Sequence, residues 1–427
     1  MTTSRPIDRL LALPAFATSG DVALKPGFER IEALLQGMGR PDRDREVILV
    51  AGTNGKGSTA SMLAALSTAA GVRTGLHTSP HLVHVGERMR VDGAMPPEDW
   101  LNDAIERWEP LFEKVQPSFF EATLALSLHW FGQCDARRWV VEIGLGGRLD
   151  AANVLDADLG VLTSVGRDHM HLLGPTLADV AREKAAIARA GRPFILGPLK
   201  GEARRSALET LNRIGADIIE PDPSHHIRET GGLELTTSMR RVTGIDLPLT
   251  GPHQHINALL ALEALDQLEG TPVDDAVVRT GFSALHALSG LRARQEWVNP
   301  DVMADVGHNE DALRSTFATF LQETAGHERT IILGFLSDKE LGTLGTWLKD
   351  RMAGSSMDGL QLVFVDTDGA RGLTASEAAE RWVASGWTGS VVTSDDFNAT
   401  LRVAVDSGRK TLVAGSYRVA SRALQIL

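Results

Sequence analysis

A glycine-rich segment at residues 51–59 has the residue types that bind phosphate. It reads A-G-T-N-G-K-G-S-T, directly after the apolar run 46–50 and before a helix-like run at 58–70. Glycines let successive backbone N–H groups face one anion, and the positive end of the following helix favours phosphate. Lys56 can neutralise phosphate oxygens and a hydroxyl at the helix start can bind Mg²⁺. The residues predicted to bind ATP here are Gly52, Thr53, Asn54, Gly55, Lys56, Gly57, Ser58 and Thr59.

The segment departs from the usual G-x-x-x-x-G-K-[ST] pattern. Val50 stands at the first glycine position, and Gly57 separates Lys56 from Ser58. A glycine-rich turn without a ligand is the alternative interpretation, but the order strand, loop, helix favours a nucleotide-phosphate site.

Glu142 and three histidines are the next candidates. Glu142 ends an apolar run, where an uncompensated charge costs several kcal/mol, so it should bind a metal or pair with Arg148. His77, His81 and His84 are spaced as zinc ligands on a helix would be. Pro80 argues against a continuous helix there, so loop histidines with structural roles are the favoured interpretation.

The composition favours small-molecule chemistry. The 427 residues are 43% apolar and suit two cores, because single cores stop growing near roughly 250–300 residues. A formal net charge of −12 argues against nucleic acid or an anionic membrane as a partner. A single cysteine, Cys134, excludes a disulfide framework, and no apolar run approaches the ~20 residues of a membrane span.

The expected location is cytoplasmic. Arg5 and Arg9 precede a short apolar run at residues 10–17 that imitates a secretory signal, but Asp8 precedes it and Pro14 interrupts it.

Short apolar runs alternate with amphipathic stretches, which predicts buried parallel strands joined by helices. Residues 200–250 are polar and predict an excursion or short antiparallel strands, and the alternation restarts after residue 290. The expected fold is α/β, with a P-loop parallel-sheet ATPase domain over residues 1–292 and a smaller Rossmann-like domain over 293–427. Ligands are expected at the carboxyl ends of strands and between the domains.

Further motifs are spread along the chain between residue 27 and residue 417. Residues 78–82 read T-S-P-H-L, residues 86–93 read G-E-R-M-R-V-D-G, and residues 142–151 read E-I-G-L-G-G-R-L-D-A. Together with the phosphate loop, they resemble the folylpolyglutamate synthases and bifunctional dihydrofolate synthases of the Mur ligase superfamily. Shorter stretches that resemble this family lie at 168–169, 183–187, 305–309 and 334–339.

The resemblance implies ATP-driven amide formation. A substrate carboxylate attacks the γ-phosphate to give an acyl phosphate, and the amine of L-glutamate then displaces phosphate. Because the first step joins two anions, catalysis should depend on positive charge and positioning. The acceptor would be dihydropteroate or the γ-carboxylate of a folate. Mg²⁺ at one or two sites, a monovalent cation and a monomeric state are also expected.

Lys184 has two interpretations. Beside Glu183 on a predicted helix over residues 177–190, the default is a solvated charged face. The resemblance instead implies a carbamate on this lysine, which turns a cation into an anionic metal ligand. The catalytic residues that it implies are Lys56, Lys184 and His169. The metal ligands that it implies are Ser58, Ser79, Glu142, His169 and Lys184.

The resemblance also extends to substrate contacts. Asn257 would approach adenine, with a helix cap as the alternative. Arg294, with Arg292 as a rival, would reach phosphates, and Asp305 and His308 would meet ribose and phosphates. Residues expected to line the pteroate pocket are Gly27, Phe28, Arg30, Phe120, Glu121, Asp150, Ala151 and Ala152. Ala152 stands where the family usually has threonine, which leaves acceptance of dihydropteroate open.

Four alternatives to the bifunctional enzyme are open. They are a folylpolyglutamate synthase only, a Mur-type peptide ligase, a P-loop kinase and an ATP-binding regulatory module. The motifs at 78–93 and 142–151 favour a folate enzyme over a Mur-type ligase. A binding module without catalysis is disfavoured because it would not need all of the polar groups that this chain has together: Lys56, Ser58, Glu142, His169 and Lys184.

Overall fold

The computed structural model of the chain describes residues 5–14, 27–228, 232–268, 273–352 and 359–427. Residues 15–17 of the apolar run near the start lie outside this part. The chain divides into two compact units, residues 1–248 with 252–291 and residues 249–251 with 292–427. Within the described residues, every helix is too short or too polar to span a bilayer.

The first unit is built on a largely parallel sheet. Its strand order is β3-β2-β4-β1-β5-β6-β7, in which only the β2–β3 pair is antiparallel. The strands are β1 (Glu46–Ala51), β2 (Thr74–His77), β3 (Met89–Val91), β4 (Arg138–Glu142), β5 (Leu159–Leu162), β6 (Pro193–Leu196) and β7 (Asp217–Ile219). Strands β1, β4 and β5 are buried along most of their length, as their apolar runs predict.

Helices cover this sheet. They are α1 (Pro6–Leu11), α2 (Glu29–Gly37), α3 (Lys56–Ala69), α4 (Glu98–Val115), α5 (Phe119–Gln133), α6 (Met170–Leu173), α7 (Leu177–Ala185), α8 (Gly201–Ile214), α9 (Pro223–His226), α10 (Pro252–Asp266), α11 (Asp275–Ser283) and α12 (Leu285–Ser289). Helix α3 is buried over most of its length, because α10, α11 and α12 all pack against it.

The register of the sheet brings the candidate residues to one edge. Val50 on β1 lies opposite Glu142 on β4 and Val161 on β5. All three strands run in the same direction, so their carboxyl ends meet at this edge. The phosphate loop, Glu142 and the loop after β5 are therefore neighbours.

The expectation for residues 200–250 is partly wrong. Three short antiparallel strands do form, β8 (Ile227–Arg228), β9 (Leu233–Thr236) and β10 (Arg241–Ile245). However, α8 and β7 occupy the first part of this range. The buried side of α8 carries small and polar residues whose spacing is helical but whose hydrophobicity is weak: Ala203, Ser206, Ala207, Thr210 and Leu211.

The second unit has its own sheet, with the order β11-β12-β16-β13-β14-β15. The strands are β11 (Glu296–Asn299), β12 (Val302–Ala304), β13 (Arg329–Leu333), β14 (Leu360–Val365), β15 (Val392–Ser394) and β16 (Lys410–Ala414). The helices are α13 (Glu310–Glu323), α14 (Leu344–Met352), α15 (Ala375–Ala384), α16 (Phe397–Asp406) and α17 (Tyr417–Ile426).

Two apolar cores flank this second sheet. One contains Phe317 from α13 and Trp382 from α15, and the other contains Phe397 from α16 and Val419 from α17. Helices therefore cover both faces of a mostly parallel sheet, and the expected α/β fold is confirmed in both units.

Candidate active site

The phosphate loop is the turn from β1 into α3. Gly55 precedes the helix with a left-handed backbone (φ 85°), a conformation that favours glycine. A Cβ atom on Gly55 would lie 2.4 Å from Asn257 Oδ1, so Asn257 of α10 sits directly against the loop. Lys56 Nζ donates hydrogen bonds to Gly52 O (3.0 Å) and Thr53 O (3.2 Å).

The alternative role of Asn257 as a helix cap is wrong. Asn257 lies inside α10, where it is buried and its Nδ2 donates to Gln254 Oε1 at 2.9 Å. The packing of α10 on α3 explains how a residue 202 positions after Gly55 reaches the loop.

The loop is held by the chain that follows β5. Ser164 Oγ accepts from Asn54 N and donates to Asn54 O, both at 2.9 Å. Thr163 Oγ1 also donates to Asn54 O, at 2.6 Å. Thr53 Oγ1 accepts from Gly166 N at 2.9 Å. These bonds fix the positions of Thr53 and Asn54 in the turn before α3.

Thr163 and Ser164 were missed by the sequence reasoning. They directly follow a predicted strand of a parallel sheet, which is the position where such folds place functional side chains. That signal could have identified them.

Lys184 is not on a solvated face. Its helix ends at Ala185, and only 4% of the residue is exposed. Its Nζ donates to Gly52 O at 2.9 Å, the same oxygen that Lys56 contacts. Burial, followed by the charge of Lys56, lowers the pKa of Lys184 to about 7, against the opposing pull of Asp168 and Asp150.

Glu142 is buried at the end of β4, with 3% of the residue exposed. Its Oε2 accepts from Ser79 N at 2.9 Å, which joins two of the expected metal ligands. Arg148 instead pairs with Glu183 (Nε to Oε1, 2.8 Å), so the alternative salt bridge between Arg148 and Glu142 is wrong.

Ser58 and His169 are the other two residues expected to bind the metal. Ser58 is buried in the first turn of α3. His169 precedes α6 with a left-handed backbone (φ 51°), and its Nε2 lies 3.7 Å from Asp168 Oδ1. In the described ranges, no three histidine, cysteine, aspartate or glutamate side chains could hold a metal by themselves. A cation here would need hydroxyl groups or a modified lysine as well.

The three closely spaced histidines have separate structural contacts. His77 is fully buried on β2, with its Nδ1 2.8 Å from Ser127 Oγ. His81 Nδ1 accepts from Arg88 Nε at 2.8 Å, and His84 Nδ1 accepts from Gly86 N. Burial, with Arg88 nearby, lowers the pKa of His77 and of His81 to about 3. The expected structural contacts agree with these bonds, but the expectation of a loop is wrong for His77, which lies on β2.

Several of the residues expected at the pteroate pocket contact one another. Arg30 Nε donates to Glu121 Oε2 at 3.0 Å, and Glu121 also accepts from Ser118 N and Oγ at the start of α5. The Phe120 ring lies 5.7 Å from the His77 ring and covers Gly144, where a Cβ atom would come within 2.7 Å of it. Gly27 and Phe28 precede α2.

Asp150 holds the turn that follows β4. Its two carboxylate oxygens accept from Leu145 N (2.8 Å) and Ala152 N (2.9 Å). Burial raises the pKa of Asp150 to about 6, although these N–H groups act in the opposite direction. Ala151 and Ala152 are buried in the short 3₁₀ turn that Asp150 caps.

The remaining candidates lie in the second unit. Asp305 and His308 follow β12, and His308 Nδ1 lies 3.0 Å from Val306 O. Arg292 pairs with Glu296 (Nε to Oε1, 2.6 Å), and Arg294 Nη1 donates to the carbonyl oxygens of Arg292 and Ala293.

A phosphate loop on a parallel sheet, followed by a smaller α/β unit, is the architecture of ATP-dependent ligases of the Mur type. The family model for the Mur ligase middle domain matches residues 50–265. The chain is 31% identical over 334 residues to the dihydrofolate synthase/folylpolyglutamate synthase of Bacillus subtilis, a match that covers 74% of this chain and 77% of that protein. The chain belongs to this family, and the expected enzyme class is confirmed.

A second relative is longer than this chain. The chain is 32% identical over 339 residues to the probable bifunctional folylpolyglutamate synthase/dihydropteroate synthase of Haloferax volcanii. That match covers 75% of this chain but only 39% of the relative, so the chain spans well under half of that protein's length.

Solved structures agree with the fold. Mycobacterium tuberculosis folylpolyglutamate synthase, complexed with ADP and AMPPCP, has a TM-score of 0.85 at 28% identity, covering 94% of this chain and 95% of that one. Escherichia coli FolC in complex with DHPP and ADP has a TM-score of 0.83 at 26% identity, covering 99% and 98%. A bifunctional folylpolyglutamate synthase/dihydrofolate synthase with Mn, AMPPNP and L-glutamate bound has a TM-score of 0.81 at 26% identity, covering 99% and 98%.

The burial of Lys184 predicts how stability depends on pH. The pKa of Lys184 is about 7 in the folded chain and near 10.5 when exposed, so between these values the unfolded chain binds more protons and stability rises with pH. Lys184→Met should reduce this slope by up to about 1.4 kcal/mol per pH unit. Urea unfolding in CO₂-free buffer at pH 7, 8 and 9 measures the free energy of unfolding at each pH and therefore the slope.

The matched control is Lys200→Met, because Lys200 is exposed before α8. It should keep the wild-type slope. An unchanged slope in Lys184→Met would show that Lys184 is not buried as a near-neutral amine.

Proposed function

We propose that the chain adds L-glutamate both to dihydropteroate and to the γ-carboxylate of folates, through an acyl phosphate. The two lysines that converge on Gly52 O, one strand away from Glu142, carry this proposal. Lys56 supplies positive charge where a carboxylate must approach the γ-phosphate, and a carbamylated Lys184 would supply an oxygen ligand for the divalent cation that adds to this charge. The bifunctional relatives and the structures with nucleotide, DHPP or L-glutamate support the choice of substrates.

We infer that ATP phosphates bind at Gly52, Thr53, Asn54, Gly55, Lys56, Gly57, Ser58 and Thr59. In this arrangement Lys56 Nζ exchanges its bonds to Gly52 O and Thr53 O for phosphate oxygens. Asn257, which lies against Gly55, would approach the base, and Arg294 and His308 would add contacts from the second unit.

We propose that Mg²⁺ is held by Ser58, Ser79, Glu142, His169 and a carbamylated Lys184. The Glu142 carboxylate and the serine hydroxyls are the oxygen donors that this hard cation prefers. The ion would supply charge neutralisation at the transferred phosphate. The solved structure that contains Mn and a nucleotide supports a divalent metal in this family.

The carbamate is proposed because Lys184 is an amine suited to it. A pKa of about 7 leaves a large share of free amine at neutral pH. That nitrogen attacks CO₂, a C–N bond forms, one proton is released and the product is an anion. The oxygen ligand thus created would lie beside the phosphate loop, where the unmodified Nζ donates to Gly52 O.

We propose that the pteroate group binds near Phe28, Phe120 and the turn of residues 150–152. Phe120 offers an aromatic face next to Gly144, and the ion pair of Arg30 with Glu121 borders the same helix start. The chain is proposed to act as a monomer in the cytoplasm.

The masses of the reaction products show which acceptors the chain uses. Purified chain with ATP, Mg²⁺ and L-glutamate should add one glutamyl unit to dihydropteroate and to tetrahydrofolate, and ADP should form in equal amount. Addition to tetrahydrofolate alone would establish a folylpolyglutamate synthase only, with Ala152→Thr as the first variant to test for gain of the other acceptor. ADP formation that needs neither acceptor nor L-glutamate would contradict the proposal.

Glu142→Gln should lower kcat by at least about 100-fold, because the isosteric amide removes the charge that a phosphate-bound metal needs. Glu183→Gln is the matched control. It removes an exposed ion pair with Arg148, so its rate should stay within about twofold. Steady-state rates of both variants measure this difference, and circular dichroism confirms that both are folded. Wild-type turnover in Glu142→Gln would refute the metal assignment.

Carbamylation predicts a carbon resonance that does not depend on activity. With ¹³C-bicarbonate, the protein should show a carbamate signal near the carbonyl region that is lost in Lys184→Met and kept in Lys200→Met. Adding Mg²⁺ and ADP should increase the signal. A spectrum without a carbamate signal in the wild type under these conditions would exclude the modification.

A further inference from the structure

Two segments of the second unit are joined through one carboxylate. Asp305 is buried, with 6% of the residue exposed. Its Oδ2 accepts from Gln295 N at 2.9 Å, and its Oδ1 accepts from Gly307 N at 2.7 Å. A third bond, from Val306 N to Ala293 O at 3.1 Å, connects the same segments directly. The chain that carries Arg294 and the chain that carries His308 are thus held together at Asp305.

The Arg294 segment needs this support because its backbone is unfavourable. Ala293 and Gln295, on either side of Arg294, both have a left-handed φ of 53°, which residues with a Cβ atom rarely adopt. Carboxylates hold both positions: Glu296 Oε2 accepts from Ala293 N at 2.6 Å, and Asp305 accepts from Gln295 N. The direction of Arg294 therefore depends on these two bonds.

Asp305 is itself fixed by a residue outside the two segments. Thr316, on the second turn of α13, is 1% exposed. Its Oγ1 lies 2.8 Å from Asp305 Oδ1 and 3.0 Å from Ala312 O, so its single hydroxyl hydrogen is shared between them. Space is tight here, because a Cβ atom on Gly307 would lie 3.3 Å from this hydroxyl.

We propose that Thr316 is a positioning residue for nucleotide binding. Through Asp305 it orients Arg294 and His308, although its own burial keeps it from any ligand. Asp305 then acts by orienting these two segments, since both of its oxygens already accept from protein donors. The inference rests on the proposed function, in which Arg294 and His308 contact the nucleotide.

Thr316→Val tests this, because valine keeps the shape and removes the hydroxyl. The KM for ATP should rise about threefold to tenfold while kcat changes less than twofold. Thr316→Ser should restore the wild-type KM. The amides of Gln295 and Gly307 should also exchange hydrogen faster in Thr316→Val without ligand, a readout that does not depend on activity.

Thr324→Val is the matched control. Thr324 follows the same helix, is 1% exposed, and its Oγ1 donates to Phe320 O at 2.5 Å, four residues earlier, as Thr316 does to Ala312 O. It should lose comparable stability and keep the wild-type KM and exchange rates. Equal KM changes in both variants would reduce the effect to general destabilisation and overturn the inference.

Arg294→Ala separates the inference from the function on which it rests. If this variant raises the KM for ATP and Thr316→Val does not, the positioning role is overturned and the nucleotide contact stands. If Arg294→Ala leaves the KM unchanged, the proposed contact fails. Unchanged exchange at Gln295 and Gly307 in Thr316→Val would overturn the positioning role in either case.

Discussion

One buried backbone carbonyl, Gly52 O, holds two lysine side chains at the carboxyl edge of the first sheet. Lys56 and Lys184 reach it from α3 and α7, at 3.0 and 2.9 Å. Burial disfavours the charged form of Lys184 and the nearby charge of Lys56 adds to this effect, so the pKa of Lys184 falls to about 7. The arrangement keeps the positive charge of Lys56 at the loop and leaves Lys184 as an amine that can be carbamylated, and the proposed chemistry depends on both lysines.

The sheet makes this arrangement possible. Parallel register puts the end of β1 beside Glu142 on β4 and beside the loop after β5. The hydroxyl groups of Thr163 and Ser164 then hydrogen-bond to the backbone of Asn54. A loop held in this way has little conformational freedom to lose on binding a phosphate, which favours affinity.

The second unit solves a similar problem with a carboxylate. An arginine between two left-handed residues has no regular secondary structure to hold it, and Asp305 and Glu296 supply the missing acceptors for the neighbouring N–H groups. Both units therefore fix irregular, polar segments at sheet edges with side-chain hydrogen bonds to the backbone.

The sequence alone determined the α/β class, the phosphate loop and the family, because these depend on local patterns: apolar runs, a glycine-rich turn before a helix, and motifs in a fixed order. Only the tertiary structure decided that Lys184 is buried and that Asn257 lies against Gly55. Helical spacing shows which residues share a face, but it does not show what covers that face. Contacts such as Thr316 to Asp305 depend on packing between distant elements, and that packing is settled by the whole fold.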